Sequence, residues 1–233
     1  MVKRWFSAVL IFVLWAGSTT AQCRQALLLA LDVSGSVDAR EYRLQLDGVA
    51  GALLNPQVLE ALNAMPAAPV RMAVMEWSGP DFQRMIVPWR DMVDAGSAQA
   101  VARQLRGTTR AQADYSTAIG SAMLRGAGEM RAQPDCWRQV VDISGDGTSN
   151  VGPLPGSVDL AGVIVNGLVI GPPLARGDDE ATGIGALAAY YRAYVLRGTE
   201  AFLETAQGFA DFEDAMVRKL LRESQIIAVS DTR

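Results

Sequence analysis

Histidine is absent from this chain, cysteine occurs twice, at Cys23 and Cys136, and lysine occurs twice, at Lys3 and Lys219. Without histidine there is no Ser-His-Asp hydrolysis, and the commonest general base and transition-metal ligand are both missing. Two cysteines cannot build a four-cysteine zinc site or a cysteine-bound iron–sulfur cluster. Any metal held here must therefore use oxygen ligands. Internal repeats, domain linkers and low-complexity stretches are also lacking. Past the first residues no apolar run reaches the roughly 20 residues needed to cross a bilayer.

Lys3 and Arg4 precede an apolar run from Trp5 to Ala16, followed by small polar residues ending in Thr19-Thr20-Ala21. That pattern is expected to be a secretory signal peptide, residues 1–21, and predicts a periplasmic or secreted protein. A retained anchor is disfavoured because the run is short. Lipidation at Cys23 is disfavoured because Gln22 stands where a small residue is needed. Loss of Lys3 and Arg4 from the 21 basic residues leaves 25 acidic ones well in excess, so nucleic acid is not an expected partner. The rest, with half of all residues apolar, is expected to form one domain over 22–224 with a loose tail over 225–233.

Ala26–Leu31 is a continuous apolar run of the kind buried on both faces of a parallel sheet. It ends at Asp32. Asp38, three residues before Glu41, marks a helix start, and Tyr42, Leu46, Val49, Ala50 and Leu53 follow at helical spacing up to Asn55-Pro56. Val70–Trp77 and Arg84–Trp89 predict two strands, antiparallel because the Ser78-Gly79-Pro80-Asp81 turn leaves no room for a crossover. Helices are expected over 95–105 and 117–130, strands over 137–143 and 163–170, and a final helix over 209–222 with Phe209, Phe212, Met216 and Leu220 facing inward. Tyr190–Leu196 reads as an edge strand, though Gly185–Arg192 reads equally as a helical turn. The alternation predicts a doubly wound α/β sheet, mostly parallel with one antiparallel edge strand and helices on both faces.

In such a sheet, ligands sit beyond the carboxyl ends of the strands, where the strand order reverses. Asp32, Ser34 and Ser36 follow the first long strand, Thr117 opens a helix, and Asp146 follows the strand over 137–143. If those two strands are neighbours, the five side chains converge. Two carboxylates and three hydroxyls suit a hard divalent cation, with magnesium expected and manganese or calcium as alternatives, in preference to zinc or copper. Gly35 offers unusual dihedrals in the tight loop. Two aspartates only neutralise a dication, so an open position attracts a carboxylate from a partner protein.

The Asp32-Val33-Ser34-Gly35-Ser36 stretch, the Thr117-Ala118-Ile119-Gly120 helix start and Asp146-Gly147 resemble, in order and spacing, the metal-ion-dependent adhesion site of von Willebrand factor type A domains. Glu76-Trp77-Ser78-Gly79, Asp142-Ile143-Ser144-Gly145-Asp146-Gly147 and Val165-Asn166-Gly167-Leu168 further resemble an uncharacterised bacterial family of exported von Willebrand A-like proteins, over nearly the whole mature chain. The resemblance implies a Rossmann-like fold and a metal-dependent protein-binding module, not an enzyme, with Asp32, Ser34, Ser36, Thr117 and Asp146 as ligands. Ser116 replaces the usual glycine before the loop threonine. Asp142 stands in a strand where an apolar residue is ordinary, and calls for a polar partner.

Cys23 lies nine residues before Asp32 and Cys136 ten before Asp146, so both fall at the amino ends of strands expected to be adjacent. Strands roughly 4.8 Å apart suit a disulfide Cα separation of about 4.4–6.8 Å, which predicts a Cys23–Cys136 bridge opposite the metal site. Other polar features have plainer readings: Glu76 is expected in a salt bridge or solvent as readily as at the site, Trp77 and Trp89 in packing, and Asp178-Asp179-Glu180 in a solvated turn. Two competing functions remain. A magnesium-dependent phosphoryl-transfer or hydrolytic enzyme would use Asp32 as nucleophile, but Ser34 stands where a second carboxylate is needed and no phosphate-binding glycine motif is present. A purely structural metal loop is the other.

Overall fold

The apolar run becomes strand β1 (Cys23–Asp32), buried along its whole length. The computed structural model describes residues 23–171 and 180–230; the expected signal peptide, Asp178-Asp179 and residues 231–233 lie outside them. Leu27, Leu29 and Leu31 enter one core, while Ala26, Leu28 and Ala30 enter another on the opposite face. With two apolar faces, this strand belongs in the middle of a sheet. It lies between β2 (Val70–Trp77) and β4 (Cys136–Gly145), and the full order is β3-β2-β1-β4-β5-β6, with β3 (Gln83–Met92), β5 (Ile164–Ile170) and β6 (Leu203–Ala206). Every pairing is parallel except β2 with β3, the antiparallel edge expected from the short turn.

Helices α1 (Ala39–Leu54), α2 (Pro56–Asn63), α3 (Ala95–Gly107) and α6 (Phe212–Ser230) cover one face; α4 (Ile119–Met130) and α5 (Glu180–Tyr190), continued by a π turn over Tyr191–Val195, cover the other. The start signal at Asp38 is a capping box: its side chain accepts from Glu41 N while the Glu41 side chain accepts from Asp38 N, satisfying donors that the first turn leaves orphaned. Phe209, Phe212, Met216 and Leu220 are all buried as expected.

Three expectations need correction and one open alternative is resolved. A separate helix α2 follows α1, with the Asn55 side chain accepting from Gln57 N and Pro56 in the first turn, a pairing that starts helices as readily as it stops them. Of the two readings near residue 190 the helical one holds, since α5 reaches Tyr190 and the π turn covers Tyr191–Val195, and the edge strand is instead the four-residue β6. Helix α4 begins at Ile119, leaving Thr117 in the loop. Helix α6 continues through Ser230, into the stretch expected to be a loose tail.

Cys23 and Cys136 are register partners on β1 and β4, with Cα atoms 4.3 Å apart, and they form the disulfide. Among the described residues no helix is long and apolar enough to cross a membrane.

Candidate metal centre

The strand order reverses between β1 and β4, and the loops leaving their carboxyl ends meet there. Asp32 ends β1 fully buried; its Oδ1 accepts from Ser34 N at 2.8 Å and its backbone carbonyl accepts from Gln45 Nε2 of α1 at 3.0 Å. The Thr117 hydroxyl lies 3.3 Å from Ser34 Oγ, Ser34 Oγ lies 3.3 Å from Ser36 Oγ, and Ser36 Oγ donates to Asp146 Oδ1 at 2.6 Å. All five predicted side chains thus form one chain of oxygens, running from buried Asp32, Ser34 and Thr117 to half-buried Asp146 and exposed Ser36.

Asp32 Oδ2 is buried with no hydrogen-bond partner. An orphaned carboxylate oxygen costs desolvation energy unless a cation or proton meets it. Burial, opposed by the hydrogen bonds from Ser34 and reinforced by Asp146, lifts the Asp32 carboxyl from 3.8 to about 7. Burial likewise raises Asp146, against the bond from Ser36. Both carboxyls are therefore placed where a positive charge is strongly favoured, and the donor set fits a hard dication. Among the described residues no group of three or more His, Cys, Asp or Glu side chains gathers to hold a metal; a cation at the two aspartates would have to draw its other ligands from hydroxyls.

The loops are held by residues that spacing did not reveal. Thr117 N donates to Asn150 Oδ1 at 2.9 Å, Asn150 N returns a bond to Thr117 O at 2.9 Å, and Ser149 Oγ donates to the same carbonyl at 3.2 Å. Thr117 is therefore presented by the loop that carries Asp146, and Ser-Asn after Asp-Gly was the available signal. Gly35 matters for room and not for a left-handed dihedral: a Cβ there would lie 2.7 Å from Tyr115 Cδ1 and 3.0 Å from Tyr115 O. Gly35 N donates to that carbonyl at 3.1 Å, bringing highly exposed Tyr115 against the serine loop. Arg110 donates from Nη2 to Val33 O at 3.2 Å on the same side.

Glu76 does not join the site. It is buried, accepts from the Tyr42 hydroxyl at 2.6 Å and pairs with Arg84 at 2.8 Å. Trp77 is a core residue and Trp89 packs half-buried with its Nε1 toward Glu129. Asp142 finds its partner in Lys219, 2.7 Å away.

This six-stranded sheet, its antiparallel edge and its helical layers define a von Willebrand factor type A fold, within the Rossmann-like α/β class. The chain belongs to the family described as "Protein of unknown function (DUF1194)", whose model matches residues 22–228. Among solved structures it is similar to proximal thread matrix protein 1 from the mussel byssus, described with a zinc occupied MIDAS motif, at 15% identity and TM-score 0.55, over 86% of this chain and 48% of that one. The pilus adhesin SpaC from Lactobacillus rhamnosus GG matches at 15% identity and TM-score 0.58, over 89% of this chain and 31% of that one. A von Willebrand factor type A protein from Catenulispora acidiphila matches at 15% identity and TM-score 0.54, over 87% and 43%. The chain thus spans less than half the length of each. No curated protein matches it significantly.

Proposed function

We propose that this is an exported, metal-ion-dependent protein-binding module, in which Asp32, Ser34, Ser36, Thr117 and Asp146 hold a divalent cation whose open position takes an acidic side chain of a partner. The observation that carries the reading is the orphaned, buried Oδ2 of Asp32 at the inner end of the five-residue oxygen cluster. A dication held by two carboxylates and neutral hydroxyls retains enough field to attract one more carboxylate. Zinc in the MIDAS motif of the byssus protein supports cation binding by this arrangement and adds zinc to the ions worth testing. Magnesium remains the expected ion, since oxygen-only donors suit hard cations. The disulfide supports an oxidising compartment, periplasmic or extracellular.

Titration calorimetry of magnesium, manganese, calcium and zinc into metal-stripped protein tests the site. Saturable one-site binding, lost in Asp32→Ala and Asp146→Ala, is the expected result. Absence of binding by the folded wild type ends the adhesion reading.

A further inference from the structure

Lys219 is the one lysine besides Lys3 in a chain whose other basic residues are all arginine. It is completely buried on α6, with Nζ 2.7 Å from Oδ1 of Asp142, itself buried on β4. A structural ion pair at such depth ordinarily favours arginine, whose planar fork satisfies a carboxylate bidentately. Here neither Asp142 oxygen has a hydrogen bond of good geometry, and Nζ donates instead to Gly167 O at 3.2 Å. Two opposite charges are therefore held together in a dry core without the directed bonds that normally offset their desolvation.

A second carboxylate stands one helical turn further along α6. Glu223 is buried, accepts from Gln25 Nε2 at 3.1 Å and from Asn166 Nδ2, and faces Arg138 at 3.5 Å. Asn166 is the register partner of Asp142 on β5 and bonds Glu223, so the glutamate stands against the same stretch of sheet as the buried Lys219–Asp142 pair. The Phe202 ring lies 4.6 Å from Nζ.

We propose that Lys219 and Asp142 are the two halves of an intramolecular isopeptide bond, formed after folding with Glu223 as proton carrier. The ammonium first passes a proton to the Asp142 carboxylate, giving a neutral amine and a neutral acid. Nζ then attacks Cγ, and the Nζ–Cγ bond forms. Glu223, whose side chain must turn toward Nζ from its bonds to Asn166 and Gln25, takes the surplus proton from nitrogen and delivers it to the departing hydroxyl, so that the Cγ–O bond breaks and water leaves. Ammonium plus carboxylate become amide plus water, Glu223 returns to its starting state, and no oxidant or co-reactant is needed.

Three features favour this step. Fixing amine and acid in contact supplies effective molarities that reach about 10⁵–10⁸ M in well-oriented intramolecular reactions. The dry surroundings disfavour both reactant charges relative to the neutral amide. Burial, with the nearby Asp142 charge, lifts Glu223 to about 7, where a carboxyl gives and takes protons equally well near neutral pH. The product would clamp α6 to β4 covalently, on the strand already tied to β1 by the disulfide.

Intact-mass spectrometry of the full chain, reduced and unfolded, together with tryptic mapping, tests the proposal. The expected result is a mass one water below that of the reduced chain and a branched peptide joining the Asp142 segment to Lys219. Full mass with a freely cleaved Lys219 overturns it, as does a water loss confined to a linear peptide, which marks a cyclised aspartate. Glu223→Gln preserves the side-chain shape and the bond from Asn166; it is expected to leave the chain folded but unlinked. A complete link in that variant removes the proton-carrier role.

Discussion

The Ser36 hydroxyl donates to Asp146 Oδ1 at 2.6 Å across 110 residues of sequence. That bond joins the loop after β1 to the loop after β4 at the exposed rim of the oxygen cluster, where a partner side chain would arrive. Ser36→Ala is expected to leave the fold intact while weakening metal binding about tenfold or more, equivalent to about 1.4 kcal/mol. Calorimetry on the folded variant checks it; unchanged affinity would place Ser36 outside the ligand set.

Metal saturation should stabilise the protein. At a free concentration 100 times the dissociation constant, linkage contributes about 2.7 kcal/mol. A thermal scan with and without the ion is expected to show that rise for wild type and none for Asp146→Ala.

The metal-stripped protein should lose stability as pH rises. Asp32 sits at about 7 when folded against an ordinary value of 3.8, so the folded state holds its proton more tightly than the unfolded chain does. The resulting contribution is fully present below about pH 4 and is lost as pH climbs through about 7. Chelator-treated wild type should thus show a downward slope over that window which Asp32→Asn flattens. Cation binding runs the other way, strengthening through pH 7 as the competing proton leaves. Denaturant midpoints and calorimetry across the window read both signs, and parallel wild-type and Asp32→Asn curves would contradict them.

Gly120→Ala is expected to be among the most damaging single-methyl changes. A Cβ there would lie 2.0 Å from Pro153 O, so the start of α4 and the loop beyond Asp146 would have to separate. A cost of about 1–3 kcal/mol, accompanied by reduced metal affinity because Thr117 shifts with the helix start, is expected from urea melts and calorimetry together.

Reduction of the Cys23–Cys136 disulfide, which spans 113 residues, should cost about 4–5 kcal/mol in the chain-entropy model. Urea denaturation of Cys23→Ala/Cys136→Ala against wild type measures it. Because the bridge lies at the opposite ends of β1 and β4 from the oxygen cluster, metal affinity of the folded double variant should be unchanged.

Much of this molecule was legible in its residues because the signals were local or tied to a strand end. The unbroken apolar run of β1 demanded burial on both faces, the Asp38–Glu41 pair announced α1, and alternate Asp, Ser and Ser after a strand marked one lobe of an oxygen cluster. The cysteine spacing anticipated a bridge once β1 and β4 were taken as neighbours. Whether they are neighbours is decided by the tertiary structure alone, because strand order depends on packing among segments more than a hundred residues apart. The same holds for the short edge strand β6, which has too few residues to show alternation and exists through its pairing with β5. Thr117 is presented by Asn150 and Ser149, and Asp142 meets Lys219, only because loops and a helix distant in sequence close over them. Sequence specified which groups carry charge and oxygen; folding set their distances, and removed the water that would otherwise have masked their interactions.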